Sequence, residues 1–323
     1  MTRTLDPVRA HARTKTVSPA QRLHAAFAAV RVSFAWLGVR KTLTPDQKNQ
    51  AADTFGAEGQ YLSAAKKLLD TQHPAFKAVT AVRNRIVAHW RGSSLPYPEP
   101  GIRLIRQDAI ENFDECMTRM REELAEAVEA LDRQYDELRS TASGRLGELY
   151  NPADYPPSLA GLFSVEWDFP SIEPPSYLLE LNPALYEQEK QRMAQRFEQA
   201  VELAESAFLE EFGKLVGHVT ERLSGVSEDG QPKAFRNSCI DNLREFFERF
   251  RTLNVHSSKE LDELVDTAQR ALGNTGPQKL REDGDLRQRI ATQFSAVGSS
   301  LEGMMVDRPR RRVLRPNQAE KQE

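Results

Sequence analysis

Apolar side chains recur at steps of three and four residues between Asp108 and Leu138. Ile110, Phe113, Met117, Met120, Leu124, Ala127, Leu131, Tyr135 and Leu138 all fall on one helical stripe. Beyond a Pro-rich interruption the pattern returns as Phe197, Val201, Ala204, Phe208, Phe212, Leu215, Val219 and Leu223. Two such seams in one chain predict an antiparallel helical hairpin with coiled-coil-like packing between its arms. Spanning 108–141 and 183–224, the arms would reach roughly 50 Å and roughly 63 Å at about 1.5 Å per residue.

Helix-start chemistry extends the reading. Ser18-Pro19-Ala20-Gln21 and Thr44-Pro45-Asp46-Gln47 each combine a capping hydroxyl, a Pro at the first helical position and a Gln to return the bond. His73-Pro74, Asn182-Pro183 and Gly276-Pro277 place Pro where a missing N–H costs nothing, and Asp108-x-x-Glu111 and Ser257-x-x-Glu260 are capping boxes. Helices are predicted over 19–41, 45–55, 60–71, 74–93, 108–141, 183–224, 233–253, 258–272 and 277–303. Only Ile102-Arg103-Leu104-Ile105 reads as a short extended piece. The expected fold is all-α and elongated: an N-terminal helical bundle over 18–106, the hairpin over 107–225, C-terminal helices over 226–305, and disordered tails at 1–17 and 306–323. The connection 151–177 carries Tyr155, Phe163, Trp167 and Phe169 among six prolines. Exposing such rings to water is costly, so an ordered cap at the hairpin tip is expected, with Phe163, Trp167 and Phe169 buried.

Composition changes the picture in two places. Charged residues make up 28% and hydrophobic residues 39%, enough apolar surface for stripes but thin for a thick core. The net charge of −3 conceals basic ends, where Arg3, Arg9, Arg13 and Lys15 face only Asp6 and a second cluster follows Asp307. The body is therefore acidic, which argues against a broad nucleic-acid face and leaves polyanion contact to the tails. Arg308, Arg310, Arg311, Arg312 and Arg315 are the residues for that role. Cys116 and Cys239 lack metal-ligand spacing and suit a reducing compartment. With no apolar run near the roughly 20 residues of a membrane span, the reading is soluble, cytoplasmic and without membrane contact.

Candidate chemistry is sparse. Arg83-Asn84-Arg85-Ile86-Val87-Ala88-His89 resembles the Arg-polar-x(n)-His signature of HEPN-type ribonucleases, small helical domains in which paired protomers build an RNA-cleaving centre. The resemblance would make Arg83, Asn84 and His89 catalytic: Arg steadies charge on a scissile phosphate and His moves a proton. The competing reading is a core stripe of Val79, Val82, Ile86 and Trp90 with Arg83 and His89 flanking it. His11, His24, His218 and His256 have no ligand-spaced partners, and no phosphate loop, nucleophile elbow or Glu-x-x-His metal pattern occurs, so no metal or cofactor is expected.

Several landmarks fall in order: Ser63-Ala-Ala-Lys-Lys-Leu-Leu-Asp70, then Leu95-Pro-Tyr-Pro-Glu-Pro-Gly-Ile-Arg-Leu-Ile105. A long helix follows, ending in Tyr135, and after it Leu149-Tyr-Asn-Pro-Ala-Asp-Tyr-Pro156, Phe163 and Trp167-Asp-Phe-Pro170. Over about residues 20–225 this resembles an uncharacterised family of phage- and plasmid-encoded helical proteins. Its members are often encoded beside MoxR-type AAA+ ATPases and von Willebrand-factor-A-like proteins. The resemblance implies a non-catalytic interaction or adaptor subunit of such an assembly, with those proteins as partners; a second copy of the chain is expected as a further partner. Two readings stand beside it: a HEPN-like metal-independent ribonuclease or toxin, and a nucleic-acid-associated structural protein using the Arg-rich tail.

Overall fold

The computed structural model describes residues 17–224 and 237–307. Its elements in chain order are α1 (Pro19–Ala26), β1 (Phe27–Trp36), β2 (Arg40–Thr42), α2 (Pro45–Asp53), β3 (Ala65–Lys67), α3 (Pro74–Gly92), β4 (Ser94–Pro96) and β5 (Ile102–Arg106). There follow α4 (Ile110–Asp132), α5 (Tyr135–Leu146), β6 (Phe163–Asp168), α6 (Tyr177–Leu181), α7 (Pro183–Ser224), α8 (Asn237–Leu253), α9 (Lys259–Leu272), α10 (Pro277–Glu282) and α11 (Gly284–Asp307). Two compact units result: residues 26–186, and, among the described residues, 17–25 together with 187–224 and 237–307.

Unit 26–186 is built on an antiparallel sheet of order β4-β5-β1-β6, accompanied by a separate β2–β3 pair. The all-α expectation is therefore corrected: this part of the molecule is mixed α/β. With the β2–α2–β3 segment and α5 set aside as insertions, the sheet strands and their main helices run β1-α3-β4-β5-α4-β6, the connectivity of the ferredoxin-like split β-α-β arrangement. Val30, Val32, Phe34 and Trp36 alternate along β1 and meet Phe163, Val165 and Trp167 of β6 in one core. Phe76, Val79, Val82 and Ile86 of α3 and Phe113, Met117, Leu124 and Val128 of α4 complete that core. Strand chemistry explains the correction, because β-branched and aromatic side chains at every second position fit a half-buried pleat. Residues 27–36, expected to continue a helix, do this instead.

The hairpin is likewise corrected. The stripe over 108–138 is interrupted by a turn at Arg133 and Gln134, giving α4 and α5, and it is covered within its own unit by α3 and the sheet. The connection 151–177 is not a hairpin tip; it supplies β6, an edge strand of the sheet. Phe163 is buried as expected, and Trp167 is half-buried with its indole N–H donating to Asp114 at 2.7 Å, whereas Phe169 is exposed.

Helix α7 runs unbroken for 42 residues, all but its first four in the second unit. Its stripe packs on phenylalanines of α8: Phe212 stacks on Phe246 at 5.1 Å, and Phe208 meets Phe250 edge-on at 5.0 Å. Phe197 and His24 meet edge to face, their ring centres 4.8 Å apart. Helix α11 contributes Phe294, Val297 and Leu301, all buried. Its Arg287 donates to the carbonyls of Arg222 and Leu223, satisfying acceptors that the end of α7 leaves unpaired. Each long stripe thus finds its cover inside its own unit.

Candidate functional site

Helix α3 holds the Arg-Asn-x-x-x-x-His sequence. The helix begins where Pro74 follows His73, whose ring Nδ1 accepts the Ala75 N–H, and it is anchored by Phe76, Val79, Val82 and Ile86. Arg83 leaves this stripe toward β1. Its guanidinium carbon lies 4.9 Å from the ring centre of Trp36 and 5.1 Å from that of Phe34, while its Nε is buried without a hydrogen-bond partner. Asn84 faces outward, and Arg85 pairs with Glu123 of α4.

His89 points to a different neighbour. Its ring stacks on Phe113 of α4, centroids 5.4 Å apart and planes 12° from parallel. Nε2 is buried with no partner. Burial, and then the charge of Arg119, holds the imidazole pKa below its ordinary value, so the ring is neutral near pH 7. Arg83 is thus engaged with β1 and His89 with α4. A shared phosphate-cleaving centre would need both heads turned to one substrate; here the structure gives them to separate aromatic partners. Arg308, Arg310, Arg311, Arg312 and Arg315 lie outside the described residues.

Two features escaped the sequence reading. The first is a buried ionic clasp. Lys66 of β3 and Asp154, with side chains only 6% and 2% exposed, lie 2.6 Å apart, and Lys41 of β2 reaches the other carboxylate oxygen at 2.5 Å. Lys66 also donates to the Leu149 carbonyl. Lys41, then Lys66, holds the Asp154 carboxyl below the usual range. Next to it Tyr155 is buried against Tyr150, and burial pushes its phenol up to about 12. Both halves of the clasp sit in landmark segments, 63–70 and 149–156, but nothing local in either says that they meet.

The second feature is apolar surface left in water. Tyr177, Leu179 and Leu181 of α6 are 60%, 54% and 77% exposed, and Leu185 in the first turn of α7 is 38% exposed. Asn182 makes the turn between them: its side chain accepts the Leu185 N–H at 3.1 Å and its carbonyl accepts the Tyr186 N–H. Phe55 and Tyr61, flanking the turn after α2, are each 83% exposed. The signal for the first cluster was present as Tyr-Leu-Leu-Glu-Leu, which the Pro-rich segment before it disguised as the end of a linker. Among the described residues no helix is long and apolar enough to cross a membrane.

Comparison with protein-family models, with curated proteins and with solved structures finds no match to this chain.

Proposed function

We propose that the chain is a non-catalytic interaction subunit, and that a protein partner docks on the exposed apolar segment that carries Tyr177, Leu179, Leu181 and Leu185. The observation carrying this reading is that segment itself. Four large apolar side chains within nine residues, held by a short helix and an Asn-capped turn, remain in water. Isolated exposed apolar residues need no explanation, whereas four concentrated in one nine-residue segment point to a contact surface. The packing of Arg83 and His89 against aromatic rings supports a structural role for both. The partners implied by the sequence resemblance, a MoxR-like ATPase or a von Willebrand-factor-A-like protein, are the first to test, with a second copy of the chain beside them.

The test uses the full chain with Leu179→Lys and Leu181→Glu together. Both positions are exposed, so circular dichroism and thermal unfolding should match the parent protein. Binding to the purified partner, measured by titration calorimetry, should fall at least tenfold, about 1.4 kcal/mol. Undiminished binding by the double variant would remove this surface from the reading.

A further inference from the structure

Helix α5 and the segment that follows β3 enclose a cleft of about 260 Å³. Its apolar lining is Leu68, Leu69, Leu138, Ala142 and Leu146. Across it runs one ion pair: Arg145 of α5 donates to Asp70 at 2.8 Å. Asp70 also accepts the Gln72 N–H at 2.9 Å. Arg145 first, and then that backbone hydrogen bond, keeps the carboxyl ionised well below the usual range. Lys67 adds a second positive charge to the lining, and Thr71 and Thr141 add hydroxyls.

We infer that this cleft binds a free aliphatic α-amino acid, its side chain on the leucine floor, its carboxylate at Arg145 and Lys67, and its ammonium at Asp70. The inference is independent of the docking surface proposed above.

Three considerations select this ligand class. Drug-sized ligands occupy about 300–1,000 Å³, so a cleft below that range suits a smaller molecule. The charges discriminate next. A simple carboxylate would meet Asp70, a simple amine would meet Arg145 and Lys67, and a phosphate would face an ionised carboxylate beside the cations. Only a molecule carrying both charges on one carbon's substituents meets favourable partners throughout. Finally, both polar groups keep unused capacity. A guanidinium has five N–H donors and a carboxylate about four acceptor positions. The Arg145–Asp70 pair engages one N–H of the former, and Asp70 has two of its positions engaged here.

Titration calorimetry on the full chain tests this with four probes: L-leucine, 4-methylpentanoate, isopentylamine and N-acetyl-leucinamide. Leucine should bind saturably and at least tenfold more tightly than the other three. Asp70→Asn should erase its advantage over 4-methylpentanoate, and Arg145→Gln its advantage over isopentylamine. Thr141 is exposed, so Thr141→Trp should keep the fold, as circular dichroism can verify, while closing the cleft and abolishing binding. Absence of saturable leucine binding at millimolar concentration would overturn the proposal. So would leucine binding that survives Thr141→Trp, and so would equal binding of N-acetyl-leucinamide, which would make the cleft a socket for a partner's leucine side chain.

Discussion

At His89 an imidazole lies face to face with Phe113 and its Nε2 has no hydrogen-bond partner. Protonation there would place a charge in a half-buried site beside Arg119, which is why the folded-state pKa lies below the unfolded one. The unfolded chain therefore binds the proton more readily, and stability must fall as pH drops below the ordinary His value of about 6.5. The loss stops growing once the folded pKa is passed. Urea unfolding of the parent and of His89→Gln at pH 7.5 and 5.5 should show a smaller acid loss in the variant. Asp154 has the same sign by another route. Its ion pairs stabilise the fold fully above the carboxylate range and are lost as pH falls through its depressed folded pKa. Asp154→Ala should cost about 3–5 kcal/mol at neutral pH, because it leaves Lys66 charged, buried and without its counterion. A loss below about 1 kcal/mol, the scale of a surface pair, would mean that the clasp contributes little.

At the scale of elements, helices were the readable part and strands the unreadable part, for a physical reason. The Thr44–Gln47 capping box forms with both of its hydrogen bonds, as does the Ser18–Gln21 pair, because capping is decided within four residues. Helix α7 has the predicted limits, 183–224, and β5 extends the predicted Ile102–Ile105 piece by one residue. In place of the box expected at Ser257, Ser258 alone caps α9, its hydroxyl accepting the Leu261 N–H, while Asp108 pairs with Arg106 rather than capping α4. Strand β1 was hidden by the alanines at 25, 26, 28 and 29, strong helix formers that outweigh the Val-x-Val-x-Phe-x-Trp alternation until a sheet is present to cover it. The seams showed that 108–138 and 197–223 each bury a stripe, but periodicity is silent about what covers it. The structure's answer is testable by a double-mutant cycle. Leu124→Ala should cost about 2–5 kcal/mol and Phe212→Ala about 3–5 kcal/mol, both sites being fully buried. Their effects should add to within about 0.5 kcal/mol. Coupling well beyond that would restore the helical hairpin.

At the scale of the whole molecule, the split β-α-β sheet and the helical unit give no function by themselves, since such folds host many activities. The functional reading rests on what the units leave in water. The candidate Arg83, Asn84 and His89 were legible as a motif, but their aromatic neighbours Phe34, Trp36 and Phe113 lie on other elements and no spacing rule could name them. The exposed apolar segment at 177–185 was missed because exposure follows from tertiary placement. The most direct measurement is site-specific photo-crosslinking in the native cell, with a photoreactive phenylalanine analogue at Leu181 in one version of the full chain and at the exposed Glu126 of α4 in another. The account predicts a discrete crosslinked protein, a partner or a second copy of the chain, from position 181 and none from position 126. Position 181 yielding no more than the control would contradict it.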